Sequence, residues 1–274
     1  MATEPDTTLF PSESSDLVRR IRARTPARLL AGRAGASYRT ETQMELRAAH
    51  AAARDAVRTE LDLEACLGAD VVRRWKIFEV CTTAGSKDEY LLRPDLGRRL
   101  SGESRAEIPR LCPSEVNLQI IIGDGLSVTA VAAQAPGLLE LLLEGAKANG
   151  WTAGQPFLVR HCRVGVLNEI GELLAPDVAV LLIGERPGLA TAESLSAYMG
   201  YRPRSGHTDA NRNLISNIHS RGVSLWDAAG RILRLAGQMM QAGDSGCNLK
   251  EQFAAFDENR LATPKSTQER KHSS

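Results

Sequence analysis

Three short and almost unbroken apolar runs constrain this chain more than any other feature: Leu118-Gln-Ile-Ile-Ile122, Phe157-Leu-Val159 and Val178-Ala-Val-Leu-Leu-Ile183. A strand with one wet face alternates polar and apolar residues, whereas a strand that is apolar throughout must be covered on both faces. Helical stretches separate the runs, first from Ser127 to Ala148 and then, after a turn at Gly165, on to Leu174. Strand, helix, strand, helix, strand is the order that builds a parallel sheet.

The expected fold is therefore α/β: a Rossmann-like or flavodoxin-like, mostly parallel sheet over residues 115–247, with helices on both faces. A last long helix is expected near Leu225–Gln241. Residues 25–114 read as a helical N-terminal part with a hairpin. Thr25-Pro26 opens a brief helix, and Thr40-Glu-Thr-Gln43 reads as a capping box before a helix from Met44 to Leu61. Lys76–Cys81 reads as a strand, Asp88–Arg93 as its hairpin partner across Ala84-Gly85-Ser86, and Pro94–Leu100 as the opening of a helix. Residues 1–24 read as a flexible lead that becomes a short basic helix around Arg19–Arg24, and 248–274 as a flexible tail.

In an open parallel sheet, ligands settle beyond the carboxyl ends of the strands. Two glycine-rich turns fall there, Gly123-Asp-Gly125-Leu-Ser127 and Gly184-Glu-Arg-Pro-Gly188. Neither completes a dinucleotide or phosphate-loop motif, because Val128 stands where a third glycine is needed. On these turns alone, tight connections without a ligand are the better reading.

Composition excludes several function classes. The 34 basic and 33 acidic residues leave a formal charge of +1, without the basic excess of a nucleic-acid-binding domain. The five cysteines are scattered with no Cys-x-x-Cys pair, which excludes a readable zinc cluster or redox dithiol and suggests buried, reduced thiols. No apolar stretch reaches membrane-spanning length and no signal peptide is readable, so a cytoplasmic protein is expected.

The five histidines form no metal-binding pair, and no nucleophile–base order or paired carboxylates stand out. No catalytic residue and no metal ligand is assigned. Glu169 and Glu172 are expected to face solvent. Arg28, Arg33, Arg39 and Arg47 could meet an anion or form a solvated basic face, and the sequence favours neither. Asn217-Ile-His219-Ser-Arg-Gly222 differs by one residue from the D-x-H-x-x-G pattern through which some proteins ligate the cobalt of cobalamin. Asn217 cannot supply the aspartate charge that orients the imidazole, so His219 reads as a structural histidine.

Several segments resemble one family, the small subunits of ethanolamine ammonia-lyase. They are Thr25-Pro-Ala-Arg-Leu29, Gly32-Arg-Ala-Gly35, Leu92-Arg-Pro-Asp-Leu-Gly-Arg-Arg99, Asp124-Gly-Leu-Ser127, Gly184-Glu-Arg-Pro-Gly-Leu189, Glu193-Ser-Leu-Ser196, Tyr201-Arg-Pro-Arg204 and Ile215-Ser-Asn-Ile-His219. The resemblance implies a subunit that holds adenosylcobalamin against a larger TIM-barrel subunit, which binds substrate and converts ethanolamine to acetaldehyde and ammonia. It implies base-on cofactor, with cobalt ligated by the cofactor's own benzimidazole.

Carried over by position, Val164, Glu185 and Leu214 match cofactor contacts; some relatives have cysteine at the position of Leu214. Some members carry a longer N-terminal extension that directs them to a bacterial microcompartment, and a free cytoplasmic enzyme is expected here. Two other readings stand beside this one: a ligand-free assembly subunit, and an autonomous Rossmann-type nucleotide-binding enzyme.

Overall fold

The computed structural model describes residues 16–25, 29, 31–188 and 190–251. In chain order the elements are α1 (Asp16–Ala23), β1 (Arg33–Ala34), β2 (Ser37–Tyr38), α2 (Thr40–Arg58), α3 (Leu63–Leu67), α4 (Ala69–Trp75), β3 (Phe78–Cys81), α5 (Lys87–Leu92) and α6 (Gly102–Leu111). There follow β4 (Leu118–Gly123), α7 (Val128–Ala148), β5 (Phe157–Arg160), α8 (Val166–Leu174), β6 (Val178–Gly184), β7 (Leu195–Tyr201), β8 (Asn213–Ile218) and α9 (Leu225–Ala242).

Six strands form one sheet in the order β3-β5-β4-β6-β7-β8. The first four are parallel neighbours, while β7 runs antiparallel to β6 and β8 antiparallel to β7. The α/β expectation holds. The three apolar runs became the three central strands, and the sheet is mixed because two antiparallel strands extend one side.

Alternation along the central strands sorts their side chains into two cores. Leu118, Ile120, Ile122, Leu158, Val178, Val180 and Leu182 pack with α3, α7 and α9. Ile121, Phe157, Val159, Ala179, Leu181 and Ile183 point the other way, into α6 and α8. Helices thus lie on both faces, and β4 and β6 are buried throughout because each of their sides meets one of them.

The helices carry matching stripes. On α9, Ala228, Ala229, Ile232, Leu235, Ala236 and Met239 are buried at helical spacing. The Ser224 side chain caps its start by accepting from the Asp227 N–H, and Gly243 ends it at φ +67°.

The N-terminal part departs from expectation in three places. Asp88–Arg93 is no hairpin partner: α5 occupies that stretch, and β3 pairs in parallel with β5, Phe78 opposite Phe157. The deciding chemistry is a cap. Ser86 Oγ accepts from the Glu89 N–H at 3.2 Å, and Glu89 Oε2 accepts from the Gly85 N–H at 2.7 Å, which closes a helical turn over residues that could have extended.

Thr40, by contrast, caps nothing. It is the first helical residue of α2, with Arg39 in the cap position and no side-chain cap bond. After Pro94, Leu96–Arg98 makes one tight 3-10 turn, and the α-helix waits until Gly102. The brief helix expected from Pro26 lies largely outside the described residues.

Candidate ligand site at the carboxyl edge of the sheet

The two glycine turns at the ends of β4 and β6 nest against each other. Gly125 sits at φ +57°, and a Cβ there would come within 2.3 Å of the Gly184 carbonyl oxygen. That carbonyl accepts from the Leu126 N–H at 3.0 Å. Only glycine combines the left-handed backbone with so close an approach.

Beneath the turns lies a buried polar network. Asp124 accepts from the Cys162 N–H at 2.8 Å and pairs with Lys87 Nζ at 3.3 Å. Their side chains are only 1% and 6% exposed, so each charge depends on the other for solvation. Lys87 also donates to the Gly125 carbonyl at 3.4 Å, and Tyr90 Oη donates to the Cys162 carbonyl at 3.0 Å. Both side chains come from α5, so this helix fastens the ends of β4 and β5 together. Burial pushes the Tyr90 hydroxyl and the Cys162 thiol up, and the Asp124 charge adds to both shifts. Neither group ionises at neutral pH.

Above this floor opens a cavity of ≈ 340 Å³ lined by Gly125, Leu126, Cys162, Arg163, Ile183, Gly184, Arg186, Ser196, Tyr198 and Ser216, together with Val164, Glu185 and Leu214. Three positions distant in sequence therefore share one wall. A second cavity of ≈ 690 Å³ adjoins it, with Arg163, Val164 and Tyr198 lining both.

Glu185 is held from β7, from β8 and from the loop that leads into β7. Its Oε2 accepts from Ser194 Oγ at 2.8 Å, and its Oε1 accepts from Ser196 Oγ at 2.7 Å and from the Asn217 N–H at 2.9 Å. A carboxylate offers about four acceptor directions. Three are used, which leaves one on Oε2. Among the described residues Glu185 has no ion-pair partner and caps no helix; it is a cross-strand acceptor. Leu214 is 47% exposed on β8, opposite Tyr198 of β7. Val164 follows Arg163, whose N–H donates to the Gly97 carbonyl at 2.7 Å and fixes the loop after β5.

His219 has both ring nitrogens engaged. Nδ1 accepts from the Arg221 N–H at 3.2 Å, which leaves the proton on Nε2, 2.8 Å from Asn217 Oδ1. That is the bonding of a structural histidine. Arg33, Arg39 and Arg47 line neither cavity, and Arg28 lies outside the described residues. Cys66, Cys112 and Cys162 are buried, but Cys81 and Cys247 are exposed, so the thiols are not uniformly internal. Glu172 is exposed, as expected, whereas Glu169 is only partly so: it accepts from the Leu100 N–H at 2.9 Å and stands 3.7 Å from Arg105.

The motif reading missed the contributions of Ser194, Ser196, Tyr198 and Ser216. The signal was present: Leu195-Ser-Ala-Tyr-Met199 alternates apolar and polar residues, the mark of a strand with two different faces.

Fold and geometry together define an α/β protein with an open, polar-edged shelf at the carboxyl ends of its parallel strands. The family model for the ethanolamine ammonia-lyase light chain (EutC) matches residues 15–250. The chain belongs to that family. It is 42% identical over 230 residues to the ethanolamine ammonia-lyase small subunit of Clostridium perfringens, covering 84% of this chain and 76% of the relative. To the small subunit of Clostridium acetobutylicum it is 40% identical over 230 residues, covering 84% and 93%. To that of Listeria monocytogenes serotype 4a it is 41% identical over 231 residues, covering 84% and 77%.

Proposed function

We propose that this chain is the small subunit of an ethanolamine ammonia-lyase which, with a larger barrel-forming subunit, holds base-on adenosylcobalamin and supports conversion of ethanolamine to acetaldehyde and ammonia. The observation that carries this reading is the convergence of Val164, Glu185 and Leu214 on one cavity.

The chemistry of the wall suits the ligand. A corrin carries peripheral amides, and the unused lobe of Glu185 is an acceptor for an amide N–H. Leu214 and Val164 present apolar surface to the ring, and Ser196 and Ser216 line the same cavity. When bound, the cofactor supplies homolysis of its cobalt–carbon bond. This chain's residues orient the corrin and keep water from one side of it.

A shelf of ≈ 340 Å³ is smaller than a corrin. It covers part of one face, and a second polypeptide must close the rest. Nothing in the wall requires His219 as a ligand, since both its nitrogens are occupied. None of the described helices is long and apolar enough to cross a membrane. A cytoplasmic location belongs to the same proposal.

The test is reconstitution with the large subunit, followed by an acetaldehyde assay with and without adenosylcobalamin. Turnover is expected only from the two-subunit complex with cofactor. Glu185→Ala in that complex should weaken cobalamin binding about tenfold, the usual scale for one hydrogen bond to a charged group. Turnover by this chain alone, or a cobalamin spectrum unchanged by the complex, would overturn the proposal.

A further inference from the structure

One imidazole stands where three parts of the fold meet. His161 follows β5 with its backbone left-handed at φ +56°, a conformation uncommon outside glycine. Its neighbours hold it there. Thr82 Oγ1 donates to its carbonyl at 3.0 Å, and a Cβ on Gly97 would lie 2.8 Å from the same oxygen. The ring stacks on Tyr90 of α5, with centroids 5.8 Å apart, and the side chain is only 7% exposed.

The two ring nitrogens face different groups. Nδ1 lies 3.0 Å from the Ala84 carbonyl oxygen. A carbonyl only accepts, so the neutral ring keeps its one proton on Nδ1 and leaves a bare lone pair on Nε2. That Nε2 is buried with no hydrogen-bond partner, and Glu60 Oε2 stands 3.5 Å away. With the ring neutral, two acceptors therefore face each other. With the ring protonated, both nitrogens carry hydrogen, and a closing movement of about 0.7 Å turns the contact into a charge-assisted bond.

Of the charged groups around the ring, Glu60 is the one placed to meet Nε2. Arg160, the residue before, is bound to Glu79 of β3 at 2.7 Å and reaches Glu60 only at 3.7 Å. Around the Tyr90 ring, Lys87 is paired with Asp124, and the Arg163 guanidinium lies 4.3 Å from the ring centre. Cys162, the residue after, stays a thiol because burial raises it. Glu60 belongs to the link between α2 and α3, so whatever grips it grips the end of α2. No residue of α2 is buried. Beside its contacts with α7, its last turn is tied to the body by Arg58 with Asp88 at 3.3 Å, an exposed pair of the kind that contributes little.

We propose that His161 is a proton-operated latch between α2 and the loop after β5: on taking up a proton, Nε2 gains the hydrogen that binds the Glu60 carboxylate. That loop continues through Cys162, Arg163 and Val164 into the wall of the shelf, so the latch joins the N-terminal helix to one side of the site. Histidine ordinarily changes charge between pH 5 and 8. The bond belongs to the protonated form, so the end of α2 is fastened at the acid end of that range and released as pH rises. The latch needs only these residues and stands apart from the cobalamin reading.

The test uses the full chain. Hydrogen exchange over residues 54–62, corrected to protection factors, is followed from pH 5 to pH 8. His161 is titrated by the NMR signal of its Cε1–H, assigned by its absence from His161→Asn. Glu60 is exposed, so Glu60→Gln should fold; asparagine suits left-handed backbone and can still donate to the Ala84 carbonyl. Wild-type protection of the segment should fall about tenfold as pH rises through the titration, the scale of one bond to a charged group. Both variants should flatten that dependence, and Glu60→Gln should move the His161 titration to lower pH. Constant protection in the wild type, or a His161 midpoint unmoved in Glu60→Gln, refutes the latch. So does survival of the pH change in either variant, which assigns it to another group such as His50 on α2. Should His161→Asn fail to fold, the profile of Glu60→Gln decides alone: flat supports the latch, wild-type-like refutes it.

Discussion

The antiparallel pair β7–β8 has two faces made from the same few residues, and they have opposite fates. Toward α9 the pair presents Leu195, Ala197, Met199, Ile215 and Ile218, all buried in the larger core. Toward the other side it presents Ser196, Tyr198, Leu214 and Ser216, which line the cavity. On that side α6 and α8 pack on the core of the parallel strands, and Tyr198 of the added pair is only partly buried against it. One face was completed by a helix of this chain; the other stops short and ends in a shelf. The difference shows that the site comes from a lack of cover at one edge of the sheet, with no special catalytic loop required.

The largest contrast should come from placing a charge on each face in turn. Met199→Asp puts a carboxylate, with no partner, where the side chain is fully buried, and a cost of several kcal/mol is expected, enough to abolish the cooperative thermal transition. Leu214→Asp, one strand away on the open face, should leave the transition within about 0.5 kcal/mol of wild type. Its effect should appear when the large subunit and cobalamin are added, as loss of binding. Similar destabilisation by both variants would mean that the second face is also internal to this chain.

A smaller effect separates the two faces by what lies beneath them. Under α7 and α9 the support is apolar, whereas under the shelf it is the Lys87–Asp124 pair. Lys87→Met leaves Asp124 buried without its counter-charge, and a loss of about 3–5 kcal/mol in urea unfolding is expected. Adding Asp124→Asn should recover much of that loss, because the amide oxygen can still accept from the Cys162 N–H while carrying no charge. No recovery in the double variant would show that Lys87 acts through its packing on Tyr90, whose ring it approaches at 5.1 Å, and not through the ion pair.

Legibility in the sequence followed physical lines. β4, β5 and β6 were readable because a strand buried on both faces has to be apolar throughout, and α7, α8 and α9 because their buried stripes repeat at helical spacing. β7 and β8 are not legible in the same way: with one face wet, their apolar content is diluted. α5 was mistaken for a strand because Tyr90-Leu-Leu92 suits either state and only the Ser86–Glu89 cap decides. Both glycine turns could be placed at the strand ends, and Val164, Glu185 and Leu214 were named through resemblance. That the three meet on one wall was beyond the reach of spacing, since it depends on β8 lying next to β7.

The smallest expected effect concerns how firmly the shelf floor is closed. Cys162 lines the cavity yet is fully buried, its sulfur packed so tightly that a Cβ on Gly123 would lie 2.7 Å away. Thiolate is the reactive form, and burial pushes the thiols of Cys66 and Cys112 up to about 11 and about 12, with Cys162 also well above the usual range. At pH 8 each holds little thiolate, and each is screened from reagent. Cys81 is exposed on β3, but burial of part of its side chain, with the nearby Glu79 charge, raises it too. Native-state labelling with iodoacetamide, read by mass spectrometry, should therefore modify Cys247 first and Cys81 more slowly, with Cys66, Cys112 and Cys162 reacting only in denaturant. If Cys162 reacts in the native chain while Cys66 and Cys112 do not, the floor opens on its own and the uncovered face is dynamic. If adding the large subunit and cobalamin then suppresses that reaction, closure of the shelf is a step that the assembly completes.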